Sequence, residues 1–218
     1  MKTNKLKSGE GIVLFVRKAG EGGRIVRLFT RTEGRQTAFI SRGTLRQCGA
    51  GLLQPFAILR YSAAESGAVQ ILTQYEGTAV LDTAALSYEE LTRWYYAVEI
   101  AEQFFPEGQA DGTAYALLGA AAVQGAQRNP TVTAFILSVQ LLAAAGSDPA
   151  EPEPMAALGL SPEAGALLRA FRQWRWQGDF PQRIGKQAFL EAARYVDAFI
   201  RRYGDVELKT RGAFAQLS

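Results

Sequence analysis

The 218-residue chain contains no histidine and a single cysteine, Cys48. These two absences exclude whole classes of chemistry. No disulfide can close within the chain. A Cys/His zinc site takes about four such ligands and cannot be assembled. Ser-His-Asp and Cys-His nucleophilic sites are excluded as well. The acids offer little in exchange. Glu89 and Glu90 fall in a first helical turn, where carboxylates favour the helix dipole. Glu99 and Glu102 are three apart on the same helix but have no further ligand in view. The glycine-rich stretch at 20–23 lacks the Lys-Ser/Thr of a P-loop. The expectation is therefore a protein that is not an enzyme, with no catalytic residue, no metal and no cofactor. The lone cysteine, in a glycine-flanked loop, fits a reducing cytosol. No apolar signal core follows the basic start of the chain. The longest uncharged stretch covers nineteen residues, 129–147. It opens Asn-Pro-Thr and contains Thr133, Ser138, Gln140 and Ser147, which favours a buried helix over a membrane span.

Charge is present but unevenly placed. The formal net charge is +3. Residues 1–82 carry 12 basic and 6 acidic residues, residues 83–168 carry 2 and 10, and residues 169–218 carry 10 and 5. Basic blocks at both ends suggest a polyanion partner, with a plain solvated surface as the alternative.

Residues 11–80 read as strands: 11–19, 24–31, 35–43, 55–62 and 68–75, most of them rich in Val, Ile, Leu, Phe or Thr. Glycine-bearing turns break them at 20–23, 32–34 and 65–67, and 44–54 separates the third from the fourth. Five short strands with such turns predict a small closed barrel, for which the OB-fold is the commonest choice. From residue 83 the pattern turns helical. Ser87 and Glu90 form a capping box, and Leu91, Trp94, Tyr95, Val98 and Phe105 recur at helical spacing. Further helices are expected over 111–126, 129–146, 161–177 and 186–203. Between them, 147–155 reads SDPAEPEPM, a linker or extended loop. The predicted class is α+β: an OB-fold domain at 1–82 and an α-helical domain at 83–218.

Basic and aromatic residues interleave in the barrel. Ile25, Arg27, Phe29 and Arg31 share one strand face, and Arg24, Arg35, Arg42 and Arg46 lie nearby. Guanidinium groups pair with phosphates and aromatic rings stack on bases. Arg24, Arg27, Arg31, Arg35, Arg42 and Arg46 are the candidate phosphate contacts of a nucleic-acid groove, which the resemblance given below makes candidate DNA-binding residues. Phe29 and Phe39 read equally as stacking residues or as barrel core, with core favoured for Phe39. Arg169, Arg172 and Arg175 recur every third residue around Trp174 and Trp176. They form a candidate secondary DNA-binding site, or else tryptophan core with solvated arginines.

The run GIVLFVRKAGEGGRIVRLFTRTEGR, then AFISRG, then LLQPFAIL resembles the N-terminal domain of the bacterial recombinational repair RecO family. The matching features are an aliphatic first strand, Glu21 and Arg24 around a turn, Thr30, Gly34, a loop from Gly43 to Arg46, and Leu53 to Phe56. The helical part, through WYYAVEIAEQFF, FILSVQLLAAAG and ELKTRGAF, is similar more loosely. One departure stands out. Many members carry a zinc-binding cysteine cluster after the third long helix, where this chain has SDPAEPEPM. The resemblance implies binding of single- and double-stranded DNA and annealing of complementary strands. It implies work with RecR in loading RecA onto DNA coated by single-strand binding protein, and contact with that protein's acidic C-terminal tail. It also implies a cytoplasmic, nucleoid-associated location and no membrane partner. The alternatives are an OB-fold RNA- or polyanion-binding protein without annealing activity, and a non-enzymatic protein–protein adaptor.

Overall fold

The computed structural model describes residues 6–66, 69–79, 81–180 and 183–215. The basic start over 1–5 and positions 67–68 of the last strand turn lie outside the described residues. The chain divides into two compact units, one of residues 1–85 and 105–126, the other of residues 86–104 and 127–218.

The first unit holds β1 (Leu6–Lys18), β2 (Arg24–Thr30), β3 (Gly34–Ile40), α1 (Arg42–Cys48), β4 (Ala57–Ser66), β5 (Val69–Ala79) and α3 (Gly112–Gly125). The strands close in the order β1-β2-β3-β5-β4, with β1 hydrogen-bonded back to β4. Among the described strand pairs, β3–β5 is parallel and the other four are antiparallel. Period-2 alternation sends Val13, Val26, Leu28, Ala38, Ile40, Leu59 and Leu72 into a common core. An irregularity between Val13 and Phe15 shifts the phase of β1, so that Val16 faces the core while Phe15 and Arg17 face out. At one end of the barrel Lys7 pairs with Glu33, which also accepts from Gln70. At the other end Leu45 and Cys48 of α1 pack on the core, and the Tyr75 hydroxyl donates to the Gly49 carbonyl. Ser41 caps α1 by accepting from the Thr44 amide at 3.1 Å. The sequence pattern reads 44–54 as a connecting segment, whereas α1 occupies Arg42–Cys48. Two glycines within it masked the short Leu45/Cys48 apolar face.

Residues 105–126 pack on the outside of the barrel. The Gly108 amide donates to the Arg35 carbonyl at 2.9 Å, and Arg35 and Glu107 form a parallel bridge. Since β5 pairs with β3 only at 38–40, this bridge occupies the edge of β3 that β5 leaves open. Gly34 makes the approach possible. Its φ is +65°, and a Cβ there would stand 1.8 Å from the Gln109 carbonyl oxygen. Phe105 meets Phe29 edge-on at 5.6 Å. Phe29 is thus fully buried, but beneath this segment rather than inside the barrel. The Tyr115 hydroxyl donates to Glu10 at 2.8 Å.

The second unit is helical: α2 (Tyr88–Phe104), α4 (Pro130–Ala144), α5 (Pro152–Ala157), α6 (Pro162–Gln173) and α7 (Lys186–Tyr203). The capping box forms, with Ser87 and Glu90 exchanging backbone-to-side-chain bonds of 2.9 and 3.2 Å. Asn129 caps α4 ahead of Pro130. That helix is buried on nearly every face from Thr131 to Leu142, which is why its sequence carries so little charge. Among the described residues, no helix is long and apolar enough to cross a membrane. Around α4, Phe135, Phe171, Phe189 and Phe214 form an aromatic cluster. The 147–155 segment, read as a loop, ends in the first residues of the short α5, which begins at Pro152. It is pinned by Asp148 accepting from the Ala150 amide and by the Tyr195 hydroxyl donating to the Pro149 carbonyl.

Candidate nucleic-acid interface

The outward face of β1–β2–β3 follows from register. Phe15, Arg27 and Thr37 stand in one row across the three strands. Arg17, Ile25 and Phe39 stand in the next row. Lys18 pairs with Arg24 beside the 19–23 turn, and Arg24 pairs with Ile40 at the end of β3. α1 begins two residues later and carries Arg42 and Arg46, four apart and so on one helix face. Gly22 leaves room for the Arg42 stem, since a Cβ there would lie 3.3 Å from its Cδ. The turn, two strands and a helix end thus gather Arg17, Lys18, Arg24, Arg27, Arg42 and Arg46 at one end of the barrel. Glu21 is the acid among them. Arg17, Lys18, Arg27, Arg42 and Arg46 are exposed. Among the described residues, Arg17, Lys18, Arg42 and Arg46 have no ion-pair partner. Half-buried Arg24 donates to the Gly23 carbonyl at 3.1 Å.

The other predicted arginines sit elsewhere. Arg31 lies at the far end of β2, 3.9 Å from Glu10. Arg35 donates its Nε–H to the Phe105 carbonyl, which ties this side chain to the 105–126 segment. In the second unit Arg169, Arg172 and Arg175 are all exposed. Arg172 pairs with Asp148 at 2.9 Å, and Arg169 approaches the Met155 sulfur. Their intervening tryptophans are core. Trp174 and Trp176 are buried, and Trp176 donates to Gln140 Oε1 at 2.6 Å.

The opposite face of the barrel has a different character. Glu10, Arg60 and Glu76 are in register across β1, β4 and β5, beside a row of Ser8, Ser62 and Gln74. Shallow grooves of about 490 and 570 Å³ run along it. Here Glu10 and Glu76 offset the guanidiniums of Arg60 and Arg31, whereas the cations around the 19–24 turn exceed their acid and attract a polyanion. Among the described residues, no cluster of Asp, Glu and Cys could hold a metal ion.

Sequence reasoning missed Phe15, Arg17 and Lys18. Strict alternation from core residue Val13 would send Phe15 and Arg17 inward, and the irregularity after Val13 turns them outward. Phe39, favoured as core, faces outward from β3 and is only half-buried.

A closed barrel ordered β1-β2-β3-β5-β4 with a helix between β3 and β4 is the OB-fold arrangement, a fold that in other proteins binds oligonucleotides and oligosaccharides. Residues 1–80 match the family model described as Recombination protein O N terminal. The chain is also 32% identical over 117 residues to the DNA repair protein RecO of Pelotomaculum thermopropionicum. That match covers 52% of this chain and 45% of the relative, so the chain aligns with less than half of that protein's length.

Proposed function

We propose that the protein is a DNA-binding recombination mediator in DNA repair that anneals complementary single strands. With RecR it helps load RecA onto DNA coated by single-strand binding protein, whose acidic tail it also contacts. It works in the cytoplasm at the nucleoid and makes or breaks no covalent bond. The observation that carries this reading is the cluster of six cations at the 19–24 end of a barrel that matches the RecO N-terminal family. The mechanism is electrostatic. Phosphates of two strands neutralised at this face release their counterions, and the repulsion that slows pairing falls. Arg24, Arg27, Arg42 and Arg46, joined by Arg17 and Lys18, make the main phosphate contacts. Arg31 extends them along β2. Arg169, Arg172 and Arg175 supply a secondary contact.

The test is annealing of two labelled complementary oligonucleotides, bare and precoated with single-strand binding protein, over a salt series. Acceleration that fades as salt rises is the expected result. Binding without acceleration would leave an OB-fold binder and overturn the mediator reading.

A further inference from the structure

We infer that Phe15 and Phe39 form a base-stacking platform that makes the β1–β3 face select single-stranded over duplex nucleic acid. The inference rests on the nucleic-acid reading above and adds a specificity to it. Phe15 is 37% exposed in the middle of β1, although its neighbours Val13 and Leu14 are fully buried. Burying a phenylalanine side chain is worth about 1.5–3 kcal/mol, so an exposed ring inside a sheet forgoes stabilisation. Phe39 faces outward from β3 and lies across Gly23. A Cβ at residue 23 would come within 2.7 Å of its ring. Gly23 has φ −76° and ψ −179°, a conformation open to any residue. It is the Phe39 ring, with the Ile40 carbonyl oxygen at 3.0 Å, and not the φ and ψ of Gly23 that leaves no room for a side chain there.

Each ring shares the outward face with a guanidinium. Phe15 is opposite Arg27 and two residues from Arg17, while Phe39 shares its row with Arg17. The rings are two strands and two residues apart on the diagonal, roughly 12 Å, so they serve separate bases. The arrangement holds phosphates on cations and bases on rings, as single-strand grooves do. A duplex keeps its base faces stacked inside and can use only the cations. The rings therefore add affinity for single strands alone.

The experiment measures binding of the full chain to a 20-nucleotide oligo-dT and to a blunt duplex by fluorescence anisotropy. It compares wild type, Phe15→Ala, Phe39→Ala and Phe15→Tyr. Each alanine should weaken oligo-dT binding by about five- to hundred-fold and leave the salt dependence and the duplex affinity unchanged. Phe15→Tyr, which keeps a stacking face, should bind as wild type does. Circular dichroism confirms folding; if Phe39→Ala unfolds, the Phe15 pair carries the test. Equal losses for both probes, or no loss, would overturn the platform while leaving the cationic face standing. Wild-type protein that binds neither probe would remove the nucleic-acid reading and this inference with it.

Discussion

Removing Arg17, Arg42 and Arg46 together isolates the electrostatic part of binding. All three are exposed and, among the described residues, without an ion-pair partner. None is part of the barrel core, and alanine is a good helix former at 42 and 46. The triple variant R17A/R42A/R46A should therefore keep its thermal midpoint. Each phosphate neutralised on a single strand contributes about −0.7 to the slope of log K against log salt. Six cations give a slope of about −4, so raising salt from about 50 to about 200 mM weakens wild-type binding about 300-fold. Three cations give about −2, and the same rise weakens the variant only about 20-fold. Anisotropy of a labelled oligo-dT across that range measures both slopes. A folded triple variant with the wild-type slope would show that these arginines do not meet phosphate and that the face is misassigned.

Gly34→Ala should destabilise the barrel unit by about 2–4 kcal/mol. The sources are left-handed strain of about 1–2 kcal/mol and loss of the Gly108–Arg35 bond as Gln109 is forced away. A urea midpoint equal to wild type would refute the attachment of the 105–126 segment to β3. Glu90 gives a pH signature. The Ser87 amide, then its hydroxyl, holds the Glu90 carboxyl below its ordinary range. Its stabilising effect is therefore present above the ordinary carboxylate pKa and is lost as pH falls through the lowered value. The stability gap between wild type and Glu90→Gln should close as pH drops from about 6 to about 3. A gap that does not change with pH would show that the capping box contributes nothing ionic.

Much of the architecture was legible in local chemistry. The capping box at Ser87, the Asn129-Pro130 start of α4 and the strand-breaking turns at 20–23 and 32–34 are short-range signals, and each sits where the chain turns or begins a helix. The misses concern side-chain direction and partners distant in sequence. Phe29 and Phe39 both face outward from neighbouring strands. Phe29 is buried only because Phe105, seventy-six residues later, covers it. Arg35 reads as one more cation on a basic strand. Its engagement with the Phe105 carbonyl depends on Gly34 admitting residue 109, which no local pattern records. Trp174 and Trp176 sit among arginines in sequence but inside the helical unit in space, with Gln140 of α4 accepting from the Trp176 indole. Phe15 and Arg17 were hidden by a one-residue bulge that inverts the alternation of β1.

The central claim is that nucleic acid lies on the β1–β3 face beside the 19–24 turn. Backbone amide shifts of the isotopically labelled full chain, followed while oligo-dT is added, test it directly. The predicted result is perturbation at Phe15, Arg17, Lys18, Arg24, Arg27, Phe39, Arg42 and Arg46, with Glu10, Arg60 and Glu76 on the opposite face unmoved. Perturbations confined to that opposite face or to the helical unit would contradict it.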